Sequence, residues 1–136
     1  MKIKVLEINK LVKDEVLVKF SSPYGDAYGF SVDPNPKLNK TYDVELDISQ
    51  HLVWGEDIKE AVFDEYKIWH ENDHIFIITQ FDSFEDGCLA VRFGEDIILI
   101  DTEGLIIRLE KLNPSSLYAL ARYFWLLGKD STETET

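Results

Sequence analysis

The chain has 136 residues, 45% of them apolar, and a net charge of −12 from 26 acidic and 14 basic side chains. That length and apolar content allow one domain with a real core, without disulfides or metal, and exclude a chain disordered by composition. The negative balance disfavours phosphate backbones and anionic lipid as partners and favours basic ones.

Lys2 to Ile8 reads as a first strand, with Ile3 and Val5 on one face, and Glu15 to Phe20 as a second, with a short hairpin loop between them. Ser21 to Lys40 is rich in Gly, Pro and Asn and reads as a long loop. Thr41 to Ile48 alternates cleanly. Tyr42, Val44, Leu46 and Ile48 face one way, and Thr41, Asp43, Glu45 and Asp47 the other, as in a half-buried strand with an acidic outer stripe. Periodicity weakens from Ser49 to Glu65, where 57–63 reads as a short helical turn and 49–65 as a place where the domain would subdivide.

Tyr66 to His70 and His74 to Phe81 read as a hairpin around Asn72-Asp73, and Cys88 to Phe93 and Asp96 to Asp101 as another around Gly94-Glu95. Leu105 to Leu109 is a last strand. Asn113 and Pro114 suit the start of a helix over 115–127, which Gly128 would stop. The expected fold is therefore mainly β: a small antiparallel barrel or sandwich of seven to eight short strands with one C-terminal α-helix. One β-rich domain spans 1–130, and 131–136 reads as a disordered tail.

The single cysteine, Cys88, cannot staple the fold from within, and no apolar h-region follows Met1. The longest apolar runs, Ile75–Ile78, Ile97–Ile100 and Tyr123–Leu127, are too short to cross a bilayer as helices. A cytoplasmic protein with no membrane partner is expected. Charge is uneven along the chain. Residues 1–40 carry 5 acids and 7 bases, 41–103 carry 17 and 3, and 104–136 carry 4 and 4.

No residue set assembles into a catalytic site, and none is expected to hold a cofactor or metal. His70-Glu71-Asn72-Asp73-His74 has the letters of a zinc-protease helix. Its flanks are strand-like, however, and a two-residue turn at Asn72-Asp73 sends the histidines to opposite faces. Cys88 lacks a nucleophile motif, and Gly25 and Gly29 form no phosphate loop.

Three features bear on binding. Tyr24, Tyr28 and Phe30 crowd a glycine-containing segment, as on recognition loops or base-stacking barrels; alternatively they fold inward to plug a barrel end. Asp43, Glu45 and Asp47, followed by Trp54, Glu56 and Asp57, join carboxylates to an aromatic, as in binders of basic proteins; alternatively they form an ordinary solvated face. On the expected helix, Leu117, Leu120, Ala121, Phe124 and Leu127 form the core stripe. Tyr118 and Trp125 lie outside it, which points to self-association as a homodimer.

Phe20-Ser21-Ser22-Pro23-Tyr24-Gly25, Tyr42-Asp43-Val44-Glu45-Leu46-Asp47-Ile48 and Leu52-Val53-Trp54-Gly55 resemble stretches of small bacterial proteins similar in character to immunity proteins, which neutralise toxins inside the cells that make them. The resemblance covers the first half of the chain and supplies no family site residues. It implies a non-catalytic cytoplasmic inhibitor that binds a basic toxin. Two other readings stand beside it: an oligonucleotide-binding barrel using the loop aromatics, which needs a basic groove, and an enzyme of unrecognised class.

Overall fold

In a computed structural model, residues 1–10, 15–61, 65–72, 74–104, 116–121 and 125–134 are described, and among them the chain forms twelve strands and no helix. The strands are β1 (Lys2–Lys10), β2 (Val16–Ser22), β3 (Gly25–Ser31), β4 (Thr41–Asp47), β5 (Leu52–Val53), β6 (Ile58–Glu60), β7 (Lys67–Glu71), β8 (His74–Glu85), β9 (Cys88–Phe93), β10 (Asp96–Glu103), β11 (Ser116–Ala121) and β12 (Trp125–Thr134). No helix of the described residues is long and apolar enough to cross a membrane.

The strands form two curled sheets. In the first, the order β1-β2-β3-β12-β4 closes on itself because β4 also pairs with β1. Alternation drives it: Ile3, Val5, Val16, Val18, Phe20, Val44 and Leu46 point inward and are buried, while Lys2, Lys4 and Glu45 point to solvent. The second sheet has the order β5-β10-β9-β8-β11-β6, with β7 against β8. Its end strands, β5 and β6, are separated by only residues 54–57, so the sheet must curl to bring its two edges together. A bulge between Phe81 and Ser83, where β8 meets β9, adds local bend.

The hairpin registers match the sequence pattern. Glu71 opposes His74 and His70 opposes Ile75, while Phe93 opposes Asp96. Asn72 (φ 47°) and Gly94 (φ 65°) supply the left-handed conformations that two-residue hairpin turns require.

Three segments depart from expectation. Within the stretch read as a loop, Gly25–Ser31 forms β3, paired along its whole length with β2. Its glycines mimic a turn, but Gly25 is needed because β7 passes against its backbone. In 57–63, Ile58–Glu60 is a strand and not a helical turn; Asp57 instead closes a tight turn, its Oδ2 accepting the Val53 N–H at 2.8 Å. Where the apolar spacing predicts a helix over 115–127, the described residues form β11 and β12. β11 lies between β8 and β6, and β12 between β3 and β4. Local spacing is compatible with either structure, and the sheet edges waiting at β8, β3 and β4 decide for strand. β12 runs on to Thr134, through part of the segment read as a tail. The strand expected at 105–109 and the helix start at Asn113-Pro114 lie outside the described residues.

One core joins the sheets. It runs from Ile3, Val18 and Phe20 to Ile68, Ile77, Leu89, Val91, Phe93 and Ile100. At one seam, the Ile68 N–H donates to the Tyr24 carbonyl at 3.0 Å. At another, the partly buried Met1 ammonium lies 3.1 Å from Asp43 Oδ1 on β4 and 2.7 Å from Asp96 Oδ2 on β10, and donates to the Val44 carbonyl at 2.9 Å. Charge-assisted bonds in such a setting are worth about 1.5–3 kcal/mol each. Asp96→Asn should therefore lower stability by about 1–3 kcal/mol, read as a reduced urea midpoint at unchanged slope. An unchanged midpoint would mean the seam holds without this pair.

Candidate functional site

The loop aromatics are largely used by the fold. Tyr24 packs edge-on against Phe93 (centroids 4.9 Å apart) and Tyr66 (5.7 Å), and Tyr66 meets Phe93 at 5.8 Å. This trio fills the junction between the β2–β3 turn and β9. The Tyr66 hydroxyl donates to Gln80 Oε1 at 3.0 Å. Phe30 is buried. Tyr28 remains half-buried, edge-on to His70 at 4.6 Å, with Lys19 Nζ 6.0 Å from its ring centre.

The acidic set divides in the same way. Asp43 holds the Met1 ammonium and Asp57 closes the β5–β6 turn, whereas Glu45 and Glu56 are exposed and Asp47 is half-buried. Trp54 is half-buried edge-on to Phe84 at 6.0 Å, and its indole N–H is shut away from solvent without a hydrogen-bond partner. The tyrosines thus belong to the β3–β7–β9 junction, while Asp43 belongs to the β1–β4–β10 seam. Tyr118 pairs in register with Ile78 and Lys59, and Trp125 with Phe30 and Asp47. Both lie on strands with a neighbour on each side, so the described residues do not form the helical face on which the self-association expectation was built.

The histidines of the His70–His74 segment flank a hairpin turn. His70 is exposed, and His74 Nδ1 lies 2.9 Å from the Asn72 carbonyl. No group of three or more His, Cys, Asp or Glu that could hold a metal occurs among the described residues.

The structure adds a clustering of charge that the chain order only hints at. The described residues 1–47 hold 7 acids and 6 bases, while 48–104 hold 12 acids and 3 bases. The second stretch builds most of the second sheet, and ten of its twelve acids are exposed. At one end of that sheet the β8–β9 turn, β10 and β5 converge. Thr102 donates to the Gly87 carbonyl through its N–H (2.9 Å) and its hydroxyl (2.8 Å), and the Trp54 N–H donates to the Glu103 carbonyl at 3.0 Å. Glu85, Asp86, Asp101 and Glu103 are exposed there, with His51 Nδ1 3.1 Å from Glu103 Oε1 and His51 Nε2 4.0 Å from Asp101 Oδ2. Sequence reasoning placed the acidic surface on β4 and missed this end. No pattern marks it, because its members come from three separate elements. Comparison with protein-family models, with curated proteins and with solved structures gives no match to this chain.

Proposed function

We propose that the protein is a non-catalytic binding protein whose acidic second sheet captures a cationic protein. The observation that carries this reading is the segregation of charge: the described residues 48–104 present ten exposed carboxylates against three cations, most of them on the second sheet. Like charges held close by a rigid sheet repel one another, a cost that a cationic partner relieves. Such a field raises the encounter rate with a basic partner and penalises anionic ones, nucleic acid included. The likeness to immunity proteins makes a basic toxin the natural partner.

The test compares two triple variants. Glu85→Gln/Asp101→Asn/Glu103→Gln neutralises the convergent end of the second sheet, and Glu7→Gln/Glu15→Gln/Asp26→Asn removes the same charge from the first. A lysine-rich peptide should bind the wild type, and its affinity should fall at least about tenfold as salt rises from about 50 to about 300 mM. The second-sheet variant should lose about tenfold at low salt and the first-sheet variant less than about twofold. Equal losses would reduce the effect to net charge and defeat the proposal.

A further inference from the structure

Ile97-Ile98-Leu99-Ile100 is an unbroken apolar run between two aspartates. A strand needs such a run when both of its faces are covered; one open face calls for alternation. β8 meets that need over its own run. Ile75, Ile77 and Ile78 are buried, and Phe76 stacks on Trp69 at 5.3 Å and 10°. β10 does not. Ile98 and Ile100 are 2% and 0% exposed in the core, while Ile97 and Leu99 stand 46% and 61% exposed on the other face. Among the described residues, β10 carries the sequence of a doubly covered strand with one face left open.

Register defines what surrounds the two side chains. Ile97 opposes Arg92, Leu99 opposes Ala90, and Asp101 opposes Cys88, which in turn opposes Glu85. Opposed residues share a face. Arg92, the one cation in this set, has its Nη2 3.1 Å from Asp82 Oδ1. Beyond Arg92 and Ala90 the register brings the neutral Gln80 and Ser83, so Leu99 and Ile97 form an apolar centre with a polar border whose charged members, Asp101, Glu85 and Asp82, are acidic apart from a cation already paired.

We propose that this outer face of β9–β10 is the docking surface for the cationic protein, which would place an apolar side chain against Leu99 and Ile97 and lysines or arginines against Asp101, Glu85 and Asp82. The inference rests on the binding reading above and assigns it a place. A second copy of the chain does not fit, because it would set carboxylate against carboxylate around the apolar centre. An apolar centre with a charged border is the usual anatomy of a protein interface, and central contacts carry most of the affinity. The anchor is then an aliphatic pair on a rigid strand, and not the loop tyrosines, which pack within the fold.

The test uses two peptides of equal length and charge, one of lysines alone and one of lysines around a central leucine pair. The leucine peptide should bind the wild type about tenfold more tightly, and Ile97→Ser or Leu99→Ser should each erase most of that advantage. Both side chains are exposed, so far-UV spectra should be unchanged; amide shifts of the wild type should move on β9 and β10 and give the same answer without a variant. If the leucine advantage is absent, survives both substitutions, or the shifts move elsewhere while lysine binding persists, the docking surface is wrong and the acidic reading stands. If neither peptide binds, both fall. A wild-type dimer dispersed by Leu99→Ser in sedimentation would assign the face to a second copy and overturn the proposal.

Discussion

Alanine at Gly25 should remove a large share of the protein's stability. Gly25 opens β3 at φ +133°, a conformation that L side chains rarely adopt, and a Cβ there would drive into the carbonyl oxygen of Ile68 on β7. That oxygen belongs to backbone held by the β7–β8 ladder, and the Ile68 N–H is already bonded to the Tyr24 carbonyl. Neither strand can retreat without opening the seam between the sheets. Backbone strain of about 1–3 kcal/mol then adds to a steric cost of similar size, for a total above about 3 kcal/mol. Against a typical total of about 5–15 kcal/mol, a urea midpoint should fall steeply. Gly55→Ala is the control. Its φ is +88°, but nothing lies within 4 Å of the added carbon, so only strain of about 1–2 kcal/mol remains. Equal losses at the two sites would mean that β3 and β7 do not approach as described.

Phe93→Ala should cost about 3–5 kcal/mol, as for other fully buried aromatics. Phe93 is 1% exposed and is the ring on which both Tyr24 and Tyr66 lean. Its neighbour Gly94 has no side chain because the Tyr24 ring and hydroxyl lie over it; a Cβ there would come within 2.8 Å of Tyr24 Cζ. Tyr24→Ala should be destabilising too, and the double variant should cost less than the sum of the singles by about 0.5–1.5 kcal/mol, since the pair is in direct contact. The same Tyr24→Ala protein should bind the lysine-rich peptide as the wild type does wherever it is folded. Loss of binding without loss of stability would return Tyr24 to a recognition role.

Fully apolar and strictly alternating stretches were readable because period-two patterning depends only on the chain itself. Thr41–Asp47, Cys88–Phe93 and the pairing of Glu71 with His74 follow from residue spacing and turn chemistry alone. β3 was hidden because Gly25 and Gly29 look like turn residues until β7 is seen to pass against Gly25. The segment 115–127, where spacing predicts a helix, is the opposite case in its described residues. Leu117, Leu120 and Leu127 satisfy a helical stripe, yet their segments become strands because β8, β3 and β4 offer backbone partners.

The candidate site divides along the same line. Asp43 and Asp57 looked like free surface charge, and each is tied to a nitrogen: Asp43 to the ammonium 42 residues away, and Asp57 to the backbone N–H of Val53 in a local turn. Ile97 and Leu99 carried a signal, the unbroken run in β10, but no run of letters says which of two faces will stay uncovered.

By itself, then, the sequence determined the β character, most hairpin registers and the concentration of negative charge between residues 41 and 103, because these are properties of neighbours along the chain. Only the tertiary structure decided which aromatics and carboxylates were consumed by the seams and that the last segments are strands. It also decided that ten acids of residues 48–104 stay exposed, and that Ile97 and Leu99 on β10 stay exposed among them. Those outcomes depend on which distant backbone groups find each other, and hydrogen-bond pairing across more than forty residues leaves no local imprint.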